Sequence, residues 1–264
     1  MKKSLCALIG LITVSALFIV NTGESRGASN IITVRADTWP PYNDDPTSTL
    51  PGSMVEIIKT IYQKAGYEVD YQVMPWARSV MAVEQGTFDA IIGATTECPG
   101  CITPKESIGE MINHFYVKKG SNWRYTGPDS LKTVSVGVIA DYSYTDDFDA
   151  YMEKNKNDPK KIDVMYADEP LQKNIKKLLA GRLDTVIENT LVFPWTVKAM
   201  GLKESDFEDA GELENSKLEL FIKFSPHQEA SQAYADIFDK GMKELRSSGE
   251  LKEILAKYGM TDWK

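Results

Sequence analysis

The run Tyr234 to Lys264, YADIFDKGMKELRSSGELKEILAKYGMTDWK, sets apolar side chains at helical spacing on both sides of one glycine break. Tyr234, Ile237, Phe238, Met242 and Leu245 line one face, Ser247-Ser248-Gly249 interrupts, and Leu251, Ile254, Leu255 and Tyr258 resume at i, i+3, i+4 and i+7. The spacing predicts two amphipathic helices joined by a sharp turn. Their apolar faces need cover from chain distant in sequence.

Ahead of that tail the pattern alternates between strand and helix. Ile31 to Ala36 is a short β-run that ends in the proline-stiffened loop Asp37-Thr-Trp-Pro-Pro-Tyr42. Met54, Ile57, Ile58, Ile61 and Tyr62 form a helical stripe stopped by Gly66, and Tyr67, Val69, Tyr71 and Val73 then alternate with polar residues, as in a half-buried strand. A helix over 77–85 ends at Gly86, and Phe88 to Gly93 reads as a buried strand. This β, α, β, α, β order predicts a mainly parallel sheet with helices on both faces.

The design recurs farther along. Gly86-Thr-Phe-Asp89 before Ala-Ile-Ile is matched by Gly181-Arg-Leu-Asp184 before Thr-Val-Ile, each with a glycine closing a helix and an aspartate opening a buried strand. Two lobes of like architecture are expected.

Residues 1–28 have the layout of a secretory signal peptide: Lys2 and Lys3, an apolar run from Ser4 to Val20, then a polar stretch with Gly23, Gly27 and Ala28. The run is about 17 residues, short for a membrane span, and Cys6 lies too early to be a lipid-attachment cysteine. Removal of this segment leaves roughly 236 residues, enough for one large or two medium domains. The chain carries a formal charge of -8. With Lys2, Lys3 and Arg26 against Glu24, the leader holds +2, so the remainder holds -10. That balance, with no cluster of Lys and Arg, argues against nucleic acid as a partner.

Cys98 and Cys101 flank Pro-Gly, and in an oxidising compartment they read as a disulfide clip closing a turn. The competing redox dithiol needs a strand leading into a helix that opens with the motif, and this sequence lacks one. Zinc is not expected, since there is no second CxxC and His114 and His227 lie in unrelated contexts. No cofactor is expected either.

The tail LRSSGELKEILAKYG, with EQGTFDAIIGATT, VSVGVIADYSY and AGRLDTVIEN, resembles the bacterial extracellular solute-binding proteins of family 3, periplasmic binding subunits of ABC transporters for amino-acid-type substrates. The resemblance spans nearly all of the chain after residue 28. It implies an α/β, type II periplasmic binding fold with a ligand cleft between two lobes: lobe 1 from 29–110 and 216–264, lobe 2 from 111–215. Crossings would fall near Ile108 to Ile112 and Gly211 to Lys217. It further implies a soluble periplasmic monomer that closes on a small polar solute and hands it to a membrane permease, without catalysis.

Carried over by that likeness, Trp39, Tyr42 and Trp76 would wall the ligand, and Thr95 and Thr96 would offer hydroxyls to it. Tyr142, Ser143 and Tyr144 would stand where backbone N–H groups at a helix N-terminus suit an anion. Two departures matter. The arginine that grips an α-carboxylate is missing from Thr95-Thr-Glu-Cys-Pro-Gly-Cys101, and Asn189 replaces the aspartate that meets an α-ammonium. Arg78 is a candidate substitute clamp against the alternative of a surface ion pair, and Glu97 and Glu188 are the carboxylates available to a cationic ligand. The alternatives to transport are a dehydratase-like enzyme on the same scaffold and a sensory protein that docks on a receptor. The first is disfavoured by the lost arginine and by the absence of a Ser/His/Asp, Cys/His or metal set.

Overall fold

The structure is a computed structural model that describes residues 30–264, so the signal-peptide reading of 1–28 lies outside the described residues. β1 (Ile31–Ala36), α1 (Ser53–Lys64), β2 (Glu68–Val73), α2 (Trp76–Glu84) and β3 (Ala90–Ala94) follow the expected alternation. β4 (Gly109–Met111), β5 (Asn113–Lys118), β6 (Val136–Ile139), α3 (Asp146–Asn155), β7 (Ile162–Met165), α4 (Pro170–Leu179), β8 (Thr185–Asn189) and α5 (Val192–Ala199) come next. β9 (Phe207–Glu212), β10 (Leu218–Phe224), α6 (Ser231–Ser248) and α7 (Glu250–Ala256) complete the chain.

Two five-stranded sheets result, in the orders β2-β1-β3-β10-β4 and β7-β6-β8-β5-β9. β1 runs parallel to β2 and β3, and β6 parallel to β7 and β8. The other half of each sheet is antiparallel, because β4, β5, β9 and β10 belong to segments that pass between the sheets. Each sheet is therefore mixed. The chain leaves the first sheet after Met111, enters the second at Asn113, and returns between Glu212 and Leu218.

The paired Gly-x-x-Asp turns perform one task in both halves. Asp89 Oδ2 accepts from the backbone N–H (2.8 Å) and hydroxyl (2.6 Å) of Thr33, while Asp184 Oδ2 accepts from the N–H and hydroxyl of Ser135, both at 2.8 Å. Each aspartate thus fastens the strand it opens to the start of the neighbouring parallel strand.

Gly249 adopts φ 85° and ends α6, a left-handed conformation that glycine takes without a Cβ penalty. α6 and α7 then bury their stripes against α1. Tyr62 donates to the Tyr234 carbonyl (3.0 Å), Tyr258 donates to Glu56 Oε1 (2.6 Å), and the Gly52 N–H donates to the Tyr258 hydroxyl (3.1 Å). β2 departs from its expected alternation: Tyr71 is buried but Val73 is 42% exposed. β2 is an edge strand, and Val73 ends it at the cleft.

Candidate functional site

The C-terminal ends of β1, β3, β6 and β8 converge on one cleft, the place where open α/β sheets collect ligands. β1 delivers Asp37 and Trp39, β3 delivers Thr95 and Glu97, β6 delivers Tyr142, and β8 carries Glu188. Trp76 opens α2 across from them. The cleft has a volume of about 630 Å³, within the range of small-molecule sites. A smaller inner pocket of about 50 Å³ shares Asp37, Trp39, Trp76 and Tyr142 with it and is lined also by Asn43 and Glu97. The Tyr142 hydroxyl donates to Asp37 Oδ2 (2.8 Å), a direct bond between the two halves.

The site is acidic. Asp37, Glu97, Asp141, Asp168, Glu169 and Glu188 line it, and among the described residues neither lining includes a Lys, Arg or His. Burial raises the Asp37 carboxyl to about 6, opposed by the Tyr142 hydrogen bond and reinforced by the charge of Glu97. Burial likewise raises Glu188 to about 7, opposed by the Asn189 N–H and the nearby Trp39 indole and reinforced by Asp37. Glu188 is 2% exposed, and its Oε2 makes no hydrogen bond. Glu97 Oε2 accepts from the N–H (2.7 Å) and hydroxyl (3.0 Å) of Thr95. The loop that carries it is held by the Cys98–Cys101 disulfide and by Lys223, whose ammonium donates to the Glu97 carbonyl (2.7 Å).

Trp39, Trp76, Thr95, Glu97, Tyr142 and Ser143 all reach the inner pocket. Tyr42 and Tyr144 are instead buried in the packing of the two halves. The Tyr42 hydroxyl donates to the Glu110 carbonyl (2.7 Å), and that of Tyr144 accepts from the Ile139 N–H (3.2 Å). Thr96 is exposed and lines neither cavity. Arg78 is exposed on α2, also outside both linings, and has no hydrogen bond or ion pair among the described residues. Asn189 is fully buried and caps the turn into α5: its Oδ1 accepts from the N–H groups of Leu191 (2.8 Å) and Val192 (3.3 Å), and its Nδ2 donates to the Tyr42 hydroxyl (3.3 Å).

The anion subsite expected before α3 is occupied by the protein's own acid. Asp149 accepts from the Tyr144 N–H (3.0 Å) and the Ser143 hydroxyl (2.6 Å), and Asp146 and Asp147 add negative charge to the same turn. A bound anion would meet repulsion there. Asp37 was not among the expected site residues. The available signal was its place directly after the first strand, two residues before Trp39.

The model of the bacterial extracellular solute-binding proteins, family 3, matches residues 31–100, the part that supplies Asp37, Trp39, Trp76 and Glu97. Over that part the chain is similar to this family. The chain is 22% identical over 274 residues, 98% of each chain, to the arginine-binding extracellular protein ArtP of Bacillus subtilis (strain 168). It shares its fold with an ancestral arginine-binding protein solved with arginine (TM-score 0.69, 20% identity, 87% of this chain and 98% of the other). A histidine kinase sensor domain with similarity to periplasmic binding proteins superposes equally well (TM-score 0.70, 17% identity, 86% and 95%). The fold is the type II periplasmic binding fold, and the curated relative is named as a binding protein, not as an enzyme.

Proposed function

We propose that this protein captures a small polar solute, amino-acid-like or related, by closing two lobes around it outside the cytoplasm, and delivers it to the permease of an ABC transporter. Lobe 1 comprises 29–110 and 216–264 and lobe 2 comprises 111–215, with the protein acting as a monomer. The observation that carries the reading is a single cleft of ligand size furnished from both sheets, by Asp37, Trp39, Trp76 and Glu97 on one side and Tyr142 and Glu188 on the other. Such a site is complete only when the halves approach. The arginine-binding relative supports a solute of this size.

A thermal-shift screen of amino acids, polyamines, small carboxylates and short peptides tests the capture step. A solute that binds only the folded protein adds roughly 2.7 kcal/mol of stability at a hundredfold excess over its dissociation constant, and small-angle scattering should report compaction. A screen without any stabilising solute would refute the reading. The similarity to the kinase sensor domain favours sensing as the second possibility. Co-purification with a permease complex or with a receptor separates the two.

A further inference from the structure

The cleft's charges and unfilled hydrogen-bonding positions narrow the ligand class, an inference that rests on the capture reading above. We infer that the ligand is a small organic cation with several N–H donors and no carboxylate, such as a diamine or an amine-ended guanidinium. One cationic head occupies the inner pocket against Asp37 and Glu97, and the other extends toward Glu188.

Two acceptors carry this assignment. Asn43 is 1% exposed and lines the inner pocket, and its Oδ1 has no hydrogen-bond partner. Its orientation is fixed, because Nδ2 donates to the Asp37 carbonyl (2.5 Å) and a carbonyl only accepts. Glu188, 2% exposed, lines the wider cleft, and its Oε2 makes no hydrogen bond, the neutral Trp39 indole being the donor near it. Buried acceptors without donors are costly unless something supplies N–H groups. A cationic amine or guanidinium does so and carries the charge the carboxylates require. A quaternary ammonium has the charge but no N–H. Trp39, Trp76 and Tyr142 add aromatic side chains to the lining, which suit a cation.

A ligand carboxylate, by contrast, finds no counter-charge. Arg78 lies outside both linings, and the Tyr144 N–H and Ser143 hydroxyl before α3 are taken by Asp149. Among the described residues the unpartnered buried side-chain donor at the cleft, Trp39 Nε1, is a neutral group beside Glu188 and does not offset three carboxylates.

Calorimetry on the full chain with 1,4-diaminobutane, agmatine, L-arginine and succinate tests this, since agmatine is arginine without the carboxylate. Agmatine or the diamine should bind at least tenfold tighter than L-arginine, and succinate should not bind. Asp37→Asn and Glu188→Gln should each weaken agmatine at least tenfold with the fold intact by circular dichroism, while Arg78→Ala leaves it within twofold. If a carboxylate variant does not fold, the ligand series decides alone. L-arginine as tight as agmatine, or binding of succinate, would overturn the cation assignment and leave capture standing. If none of the four binds and the broader screen is also empty, capture itself fails.

Discussion

Glu188 holds a carboxyl group in nearly complete burial with one oxygen unbonded. Asp37 faces it from the other half, His114 is its register partner on β5, and burial, reinforced by its charge, raises the hydroxyls of Tyr42, Tyr116, Tyr142 and Tyr144. Its ordinary value of 4.5 is raised to about 7 in the fold, so the native state holds this proton more tightly than the unfolded chain. Stability from this group is therefore greatest at low pH and is lost as pH rises from about 4.5 to 7. Glu188→Gln should flatten that slope, gaining up to about 3 kcal/mol relative to the parent at pH 8 and little at pH 4.5. Urea unfolding at both pH values checks this, and parallel pH profiles would contradict it. Asn189 was legible as a lost charge, but its second role was not. Its bond to Tyr42 spans 147 residues, which local pattern does not encode, while its caps to Leu191 and Val192 lie within three residues of it.

At the scale of elements, helical periodicity was the most readable signal. The tail stripes, the α1 stripe and the two Gly-x-x-Asp turns all appear where spacing placed them, because side-chain period is local. Sheet position is not local, so Val73 on the edge strand broke the expected alternation, and the antiparallel halves were not visible before the crossing strands were placed. The α1–α6 contact also hides a requirement at Gly241. A Cβ there would lie 2.5 Å from Ile61 Cγ2 and 2.9 Å from Cγ1. Alanine gains roughly 1 kcal/mol in helix propensity, but Ile61 is 3% exposed with little room to yield, and overpacking costs roughly 1 to 3 kcal/mol. Gly241→Ala should therefore destabilise by about 1 kcal/mol in urea titration. In an Ile61→Ala background the same change should become neutral or stabilising, as a double-mutant cycle would report. An equal loss in both backgrounds would show that the contact is not responsible.

For the whole molecule, few direct polar bonds join the halves at the cleft. Among the described residues, Tyr142 to Asp37 (2.8 Å) and Asn189 to Tyr42 (3.3 Å) are two that do so. The first involves a carboxylate that titrates near 6, so above that pH it is a charge-assisted bond, worth roughly 1.5 to 3 kcal/mol when intact. Removing the hydroxyl with Tyr142→Phe keeps the aromatic wall and deletes only this tie. The ratio of closed to open molecules at pH 7.5 should fall by roughly tenfold or more, since 1.4 kcal/mol is a factor of ten in an equilibrium. Small-angle scattering should then show a larger radius of gyration for the ligand-free variant than for the parent, with saturating ligand restoring compaction. At pH 5 Asp37 is mostly protonated and its bond to Tyr142 is no longer charge-assisted, so the difference between variant and parent should shrink. The charges of Glu97 and Glu188, which also act on Asp37, set how sharply it does so. Coincident scattering curves for the two ligand-free proteins at pH 7.5 would mean that this hydrogen bond does not set the balance between open and closed molecules.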